Sequence, residues 1–211
     1  PPDASPLTTF ALGQNYPNLE YVVLDDGSTD DTPSVLERYA DRIRVFRHEN
    51  MGETATVNKG FSLVSGDIVC VVCSDDPLMP GAIRHVVEAF QKNPSAVAVY
   101  PDWVDIGPQG EFLRAIRLPE YDIQVMLITM SWGLGPGAFF RRSLIERLGG
   151  RNPERVYCGD MEFWARAAML GPLVHVPKVL ATHRTHAGSA SIGCLSGAFA
   201  REWVDTWRSL F

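Results

Sequence analysis

GDIVCVVCSDDPLMP, residues 66–80, holds an unbroken apolar run from Ile68 to Cys73 that ends abruptly in Ser74, Asp75 and Asp76. β-Branched residues dominate the run and polar positions do not alternate with apolar ones, so it reads as a strand covered on both faces in a mainly parallel sheet. In open α/β sheets, ligands bind beyond the carboxyl ends of such strands. Two adjacent carboxylates there suit a hard divalent cation, which prefers carboxylate oxygen and bridges to substrate phosphates. Asp also favours helix N-termini and Pro77 suits an early helical position, so capping of the next helix stands as a second reading.

Upstream, residues 20–24 (EYVVL) read as a strand that breaks into DDGSTDDT at 25–32, whose Thr29, Asp30 and Asp31 offer cap oxygens for a helix over 33–39. RVFR at 44–47 reads as a short strand, HENMGE as a loop, and 54–63 as a helix. Residues 7–12 suit a short helix. Downstream, Ile83, Val86, Val87 and Phe90 recur at helical spacing across 80–92. A strand over 96–100 and a hairpin of 103–106 with 112–116 follow, so the sheet is expected to be mixed. A helix over 123–130, the Gly-rich loop and short strand of WGLGPGAFFRR (132–142), and a helix over 144–148 come next. Residues 160–170 (DMEFWARAAML) form a helix that Asp160 opens. Short strands at 173–176 and 179–182 lead to HRTHAGSAS, and an amphipathic tail closes the chain.

The chain has 211 residues, 45% hydrophobic and 21% charged, which suits one core. The expected division is a single domain over 1–193 with a helical tail over 194–211. A net charge of -6 argues against a general nucleic-acid binder, which would carry a basic face. No apolar run approaches the roughly 20 residues of a spanning helix, and no charged-then-apolar leader stands at the start. Cys70 and Cys73 form a C-x-x-C, but inside the apolar run they read as buried structural thiols on opposite faces. Scattered Cys158 and Cys194 suggest no disulfide framework, so a reducing, cytoplasmic setting is expected.

Four blocks agree in order and spacing: YPNLEYVVLDDGSTDDT from Tyr16, ENMGETATVNKG from Glu49, SGDIVCVVCSDD from Ser65 and GDMEFWARAAMLG from Gly159. Together they resemble the family 2 glycosyltransferases, whose GT-A fold is a Rossmann-like mixed, mainly parallel sheet flanked by helices. The resemblance implies inverting transfer of a sugar from a nucleoside diphosphate-sugar, a UDP-sugar foremost, to a hydroxyl of a glycan, lipid or other acceptor, with Mg2+ or Mn2+. It implies that Asp26 reads the nucleobase, where an exposed carboxylate can accept a ring N–H; turn-shaping by Asp25 and Asp26 is the alternative. Asn58 falls beside the nucleotide by the same resemblance, or is a satisfied helix polar residue.

By resemblance, Asp75 contacts ribose or metal, and Asp76 binds the metal that neutralises the leaving diphosphate, a charge that a Lewis acid stabilises. Asp160 matches the base that deprotonates the acceptor, with simple N-capping and Glu162 as the competing assignments. Trp132, Gly135 and Gly137 are placed on the acceptor side or in the core. Arg184 and His186 match an Arg-x-His element, where His186 completes the metal shell and Arg184 pairs with phosphate oxygens.

Two departures stand out. Cys73 occupies the position where many members carry a further Asp, in a D-S-D-D pattern. Members also begin with a buried strand and a P-T-Y-N-like turn, and nothing before Tyr16 supplies either; the given residues are expected to start inside the domain or to lack natural residues before them, and only a chain truly beginning at Pro1 is expected to bind nucleotide weakly and leave a sheet edge open to another chain. Two rivals remain. Nucleotidyl transfer would want a Gly- and Arg-rich phosphate loop after the first strand, and none is present. A non-catalytic nucleotide-sugar binding or assembly module fits the two departures. The tail, with Trp203, Trp207 and Phe211, offers a surface for a membrane face, another subunit, or the domain itself.

Overall fold

The computed structural model describes residues 13–129, 134–186, 188–189 and 197–210. The helix expected over 7–12, and Trp132, Cys194 and Phe211, lie outside them.

Strand β1 (Val22–Asp26) leads through helix α1 (Thr32–Glu37) to β2 (Arg44–His48), and α2 (Glu53–Leu63) follows. The strands pair in parallel from Val22↔Arg44 to Asp26↔His48. Asp25 and Asp26 therefore finish β1, where the sequence placed them in the loop. A second sheet holds β3 (Ile68–Cys70), β4 (Ala98–Ile106), β5 (Phe112–Ile116), β6 (Phe139–Arg141) and β7 (Leu173–Arg184). Its order is β3-β6-β4-β5, with β7 along β4. Helices α3 (Ala82–Lys92), α4 (Ile123–Thr129), α5 (Ser143–Leu148), α6 (Gly159–Ala168) and α7 (Gly197–Leu210) complete the described elements. The first sheet is parallel and the second mixed, and the parallel ladders, β1 with β2 and β4 with β7, run longer than the antiparallel ones.

The opening stretch differs from its expectation. β3 spans three residues and only Val69 is buried, while Val72 and Cys73 are exposed. Its one partner among the described residues is β6, which runs antiparallel and is equally short, so the ladder stops at Cys70↔Phe139 and the apolar run leaves the sheet. Helix α3 begins only at Ala82, after Gly81. Asp75 and Asp76 lie well before that start, which removes the capping reading.

Residues 98–106 form one strand through Pro101, where two pieces were expected. The register against β7 slips on either side of Asp102, and Pro, which lacks a backbone donor, is tolerated at such irregularities. On the facing strand the pairing jumps from Val176 to Val179, so 173–184 is likewise continuous across Pro177.

β6 divides the core. Its neighbours Phe139 and Phe140 point to opposite faces, as strand residues must. Phe140 joins Phe61, Leu144, Phe163 and Trp164 in one cluster, while Phe139 joins Val86, Phe90 and Leu180 in the other. Helix α7 lays Trp203, Trp207 and Leu210 against the first cluster, so of the surfaces the sequence offered these two tryptophans, they take the domain itself. A groove of about 900 Å³ separates the two sheets, lined by Tyr21 and Val22 beside β1, by Ile68 and Cys70 of β3, and by Ile83 and Phe90 of α3. None of the candidate catalytic or binding residues lines it. Among the described residues no strand precedes β1 and none bridges the groove.

Asp102, fully buried on β4, moors the chain that follows β5. Its Oδ1 accepts the Leu118 N–H at 2.9 Å and lies 2.9 Å from His175 Nε2, and its Oδ2 accepts Arg117 Nη1 at 2.8 Å. The Tyr100 ring stacks on His175, and its hydroxyl donates to the Pro119 carbonyl. Burial pushes the Asp102 pKa up, but the Arg117, Leu118 and His175 contacts outweigh it and hold the carboxyl below its ordinary value. A depressed folded pKa gives stability that is full above the unfolded pKa and is lost as pH falls through the folded one. Asp102→Asn is therefore expected to unfold more easily at neutral pH, by about 2 kcal/mol. Thermal melts taken from neutral pH downward should show that gap closing in acid; a gap of constant size would count against the assignment.

Candidate active site

The end of β7 and the loop after β3 meet. Asp76 Oδ1 accepts the Arg184 backbone N–H at 2.6 Å, and Asp75 Oδ2 lies 3.1 Å from His186 Nε2. The Arg184 guanidinium donates to the Asp75 carbonyl through Nε (3.2 Å) and to the Gly107 and Pro108 carbonyls through Nη1 (3.1 and 3.0 Å). Four of the residues singled out from the sequence thus form one cluster, with Arg184 tying the acid loop to the β4–β5 turn. Burial, followed by the charge of Asp75, raises the Asp76 pKa against the pull of the Arg184 N–H. Two crowded carboxylates with an adjacent imidazole are a donor set that suits Mn2+ or Mg2+, the imidazole favouring the former. Among the described residues no three such side chains are gathered as a ready-made metal cage, so diphosphate oxygens and water would complete any shell.

Asp160 sits on α6 as its second residue; Cys158 holds the N-cap position and makes no side-chain cap bond. The capping reading therefore fails for Asp160 itself. Its Oδ1 accepts the Met161 N–H at 2.7 Å, and its side chain remains open to solvent on one side. Protein packed around the other sides raises its pKa, Arg151 and the Met161 N–H lower it, and Glu53 adds to the rise. Glu162 is buried and clamped by Arg166, with Oε1 to Nε and Oε2 to Nη2 both at 2.7 Å. A carboxylate so paired has no access to an acceptor, which leaves Asp160 of the two competitors.

Cys73 links the two carboxylate groups. It is exposed, outside the strand, and its thiol is pushed up to about 12 by crowding first, then by Glu53, Asp76 and Asp75. Glu53 and Arg151, ion-paired at 2.8 Å, act on Asp160 as well. Cys73 thus stays a neutral thiol and adds no charge beside the acid pair.

Asp26 lies with a different set of partners. Oδ1 accepts the Met51 N–H at 2.7 Å, and Oδ2 accepts Gly52 N–H at 3.1 Å and Asn50 Nδ2 at 3.3 Å. Burial raises its pKa, but the Met51 and Gly52 N–H groups, with His48 nearby, bring it below the ordinary value, so it stays ionised. Asp25 shapes the turn, accepting the Ser28 N–H at 2.8 Å. Asn58 spends both ends of its amide on the Arg151 backbone, each at 2.8 Å, and so fastens the residue that faces Glu53. That is the satisfied helix residue of the two readings.

Residues missed in the sequence complete the surround. Asp105 accepts Trp103 Nε1 (3.0 Å) and Arg114 Nε (2.6 Å) and lies 3.2 Å from His183 Nδ1. The Trp103 ring lies where a Cβ on Gly135 would stand 2.3 Å away, and one on Gly137 would stand 2.6 Å from Ala181 Cβ; both have positive φ, so both positions demand glycine. The recurrence of acids in PDWVDI was the available signal, and a hairpin reading absorbed it.

Solved structures share this arrangement of strands and helices. Staphylococcus aureus TarS 1–349 in complex with UDP-GlcNAc superposes with a TM-score of 0.75 at 18% identity over 97% of this chain and 60% of that one. Mannosyltransferase PcManGT from Pyrobaculum calidifontis, in complex with GDP-Man and Mn2+, gives 0.65 at 20% identity over 94% of this chain and 57% of its own. The fold is the GT-A fold of glycosyltransferases. The sequence profile described as Glycosyl transferase family 2 matches residues 6–149, and the chain belongs to that family. Similar curated proteins include an uncharacterised glycosyltransferase of Rickettsia felis (28% identical, 86% of this chain, 32% of that protein). Others are chondroitin synthase of Escherichia coli (27%, 86% and 27%) and a glucosyl-dolichyl phosphate glucuronosyltransferase of Haloferax volcanii (29%, 74% and 53%). The chain thus spans about a third of the Rickettsia felis protein and about half of the Haloferax one. Among the described residues no helix is long and apolar enough to cross a membrane.

Proposed function

We propose that this chain carries the donor and base machinery of an inverting transferase that moves a sugar from a nucleoside diphosphate-sugar to a hydroxyl. What supports it is the meeting of the Asp75–Asp76 loop with Arg184 and His186 at the end of β7, together with the solvent-facing carboxylate of Asp160 at the start of α6. Asp75 and Asp76, with His186, would hold Mn2+ or Mg2+, which supplies Lewis-acid stabilisation of the leaving diphosphate. Arg184 positions the acid loop. Asp160 accepts the proton of the acceptor hydroxyl as its oxygen attacks the anomeric carbon from the side opposite the diphosphate, which inverts that centre. Asp26 carries the nucleobase contact, with its carboxylate held ionised and oriented by the 50–52 loop; Asn58 supports the site through Arg151. The UDP and GDP sugars seen in the structural neighbours support a donor of this class, and a glycan or lipid hydroxyl fits the acceptor side.

Calorimetric titration of UDP- and GDP-sugars with Mn2+ tests the donor half. Asp76→Asn is expected to weaken donor binding in metal and lower transfer about 10²-fold. Equal donor affinity with and without Asp76 would remove it from the site, and tight binding without turnover would reduce the chain to a binding module.

A further inference from the structure

Helix α7 reaches back to the segment that carries Asp160. Glu202 Oε1 accepts the N–H groups of Tyr157 (2.8 Å) and Cys158 (2.7 Å), and Oε2 accepts that of Val156 (3.1 Å). One carboxylate therefore gathers three consecutive backbone donors ending two residues before Asp160. Charge-assisted bonds of this kind are short and strong, and three on one side chain fix a backbone direction. The same helix holds Arg155, whose Nη2 reaches Ser209 Oγ at 3.2 Å. The Tyr157 ring packs edge-on against Phe199, which stacks on Trp203. On the other side Thr54 Oγ1 of α2 donates to the Arg155 carbonyl at 3.0 Å. Cys158 gives α6 no side-chain cap, and Asp160 spends only Oδ1, on its neighbour's N–H. The entry to α6 is thus set from outside, by a residue far along the chain.

We propose that Glu202 is a positioning residue for Asp160, and that the C-terminal helix is part of the catalytic apparatus through it. The role rests on the function proposed above. A carboxylate base loses rate steeply when its approach to the acceptor is displaced by about 1 Å, while donor binding at the acid pair is untouched. Of the surfaces the sequence offered this tail, the role uses the one against the domain itself.

The test uses the full chain. Glu202→Ala is expected to lower kcat of transfer by 10- to 100-fold with donor Kd unchanged, and to raise amide hydrogen exchange over residues 156–160. Glu202→Gln, which keeps one acceptor oxygen, should recover part of the loss. If Glu202 acts through Asp160, the loss disappears in an Asp160→Asn background, as double-mutant cycles show for coupled residues. The same fractional loss in that background, or kcat unchanged in Glu202→Ala, overturns the role. Should the wild-type chain transfer no sugar with any donor, the proposed reaction falls and this role with it. Transfer by the wild type that Glu202→Ala leaves untouched sinks the positioning role alone.

Discussion

Replacing Asp160 by Asn is expected to lower the turnover of sugar transfer about 10³-fold and to leave donor affinity within about twofold of wild type. The asymmetry follows from where the residue sits. The proposed donor site is built on Asp75, Asp76 and Arg184, whereas Asp160 belongs to the start of α6, where its Oδ1 accepts its own neighbour's N–H. Asn keeps that bond and the shape, and loses only the ability to take a proton. Because surrounding protein lifts the Asp160 pKa, the acid limb of kcat in the wild type should lie above the ordinary Asp range. It should be missing from the residual activity of the variant. Full activity in Asp160→Asn would hand the base role to another group; Glu162 is already bound to Arg166.

The second large effect is on stability. Phe140→Ala is expected to cost about 4 kcal/mol and to lower the melting temperature by about 12 °C. Phe140 is 1% exposed and meets Phe61, Phe163 and Trp164 edge-on at centroid distances of 5.5, 5.2 and 5.7 Å. Removing the ring empties the centre of that cluster and strips three aromatic contacts at once. β6 is also the one strand joining β3 to β4, so the void weakens the seat of the acid loop. Phe139→Ala, on the other face, offers the control for loss of area without those rings. A Phe140→Ala melt within about 3 °C of wild type would mean that the cluster collapses to fill the space.

Much of this was legible from local pattern. The helical spacing of Ile83 through Phe90 and the acidic ends of two strands placed the elements and the acid pair, and resemblance added Asp160, Arg184 and His186. What escaped notice depended on long-range pairing. Pro101 and Pro177 looked like breaks because a single strand cannot show that its partner slips register beside it. The run through Cys73 looked like a long strand because apolarity does not reveal that β6 offers only three partners. The Asn58 amide could be assigned only once Arg151, 93 positions away, was seen against it. Glu202 carried no signal at all, since one acid on an amphipathic tail resembles any solvated helix residue.

The bonds that join Asp76 to Arg184 and Asp75 to His186 span 108 and 111 positions of the chain. Closing loops of that size is entropically the slow part of folding, and a parallel ladder such as β4 with β7 cannot nucleate from a turn. The acid pair therefore emerges from synthesis long before its partners exist, and gains them only when the last strand docks. A chain halted short of β7 would carry both aspartates without their Arg184 and His186 partners, so this cluster depends on long-range closure that no local segment supplies.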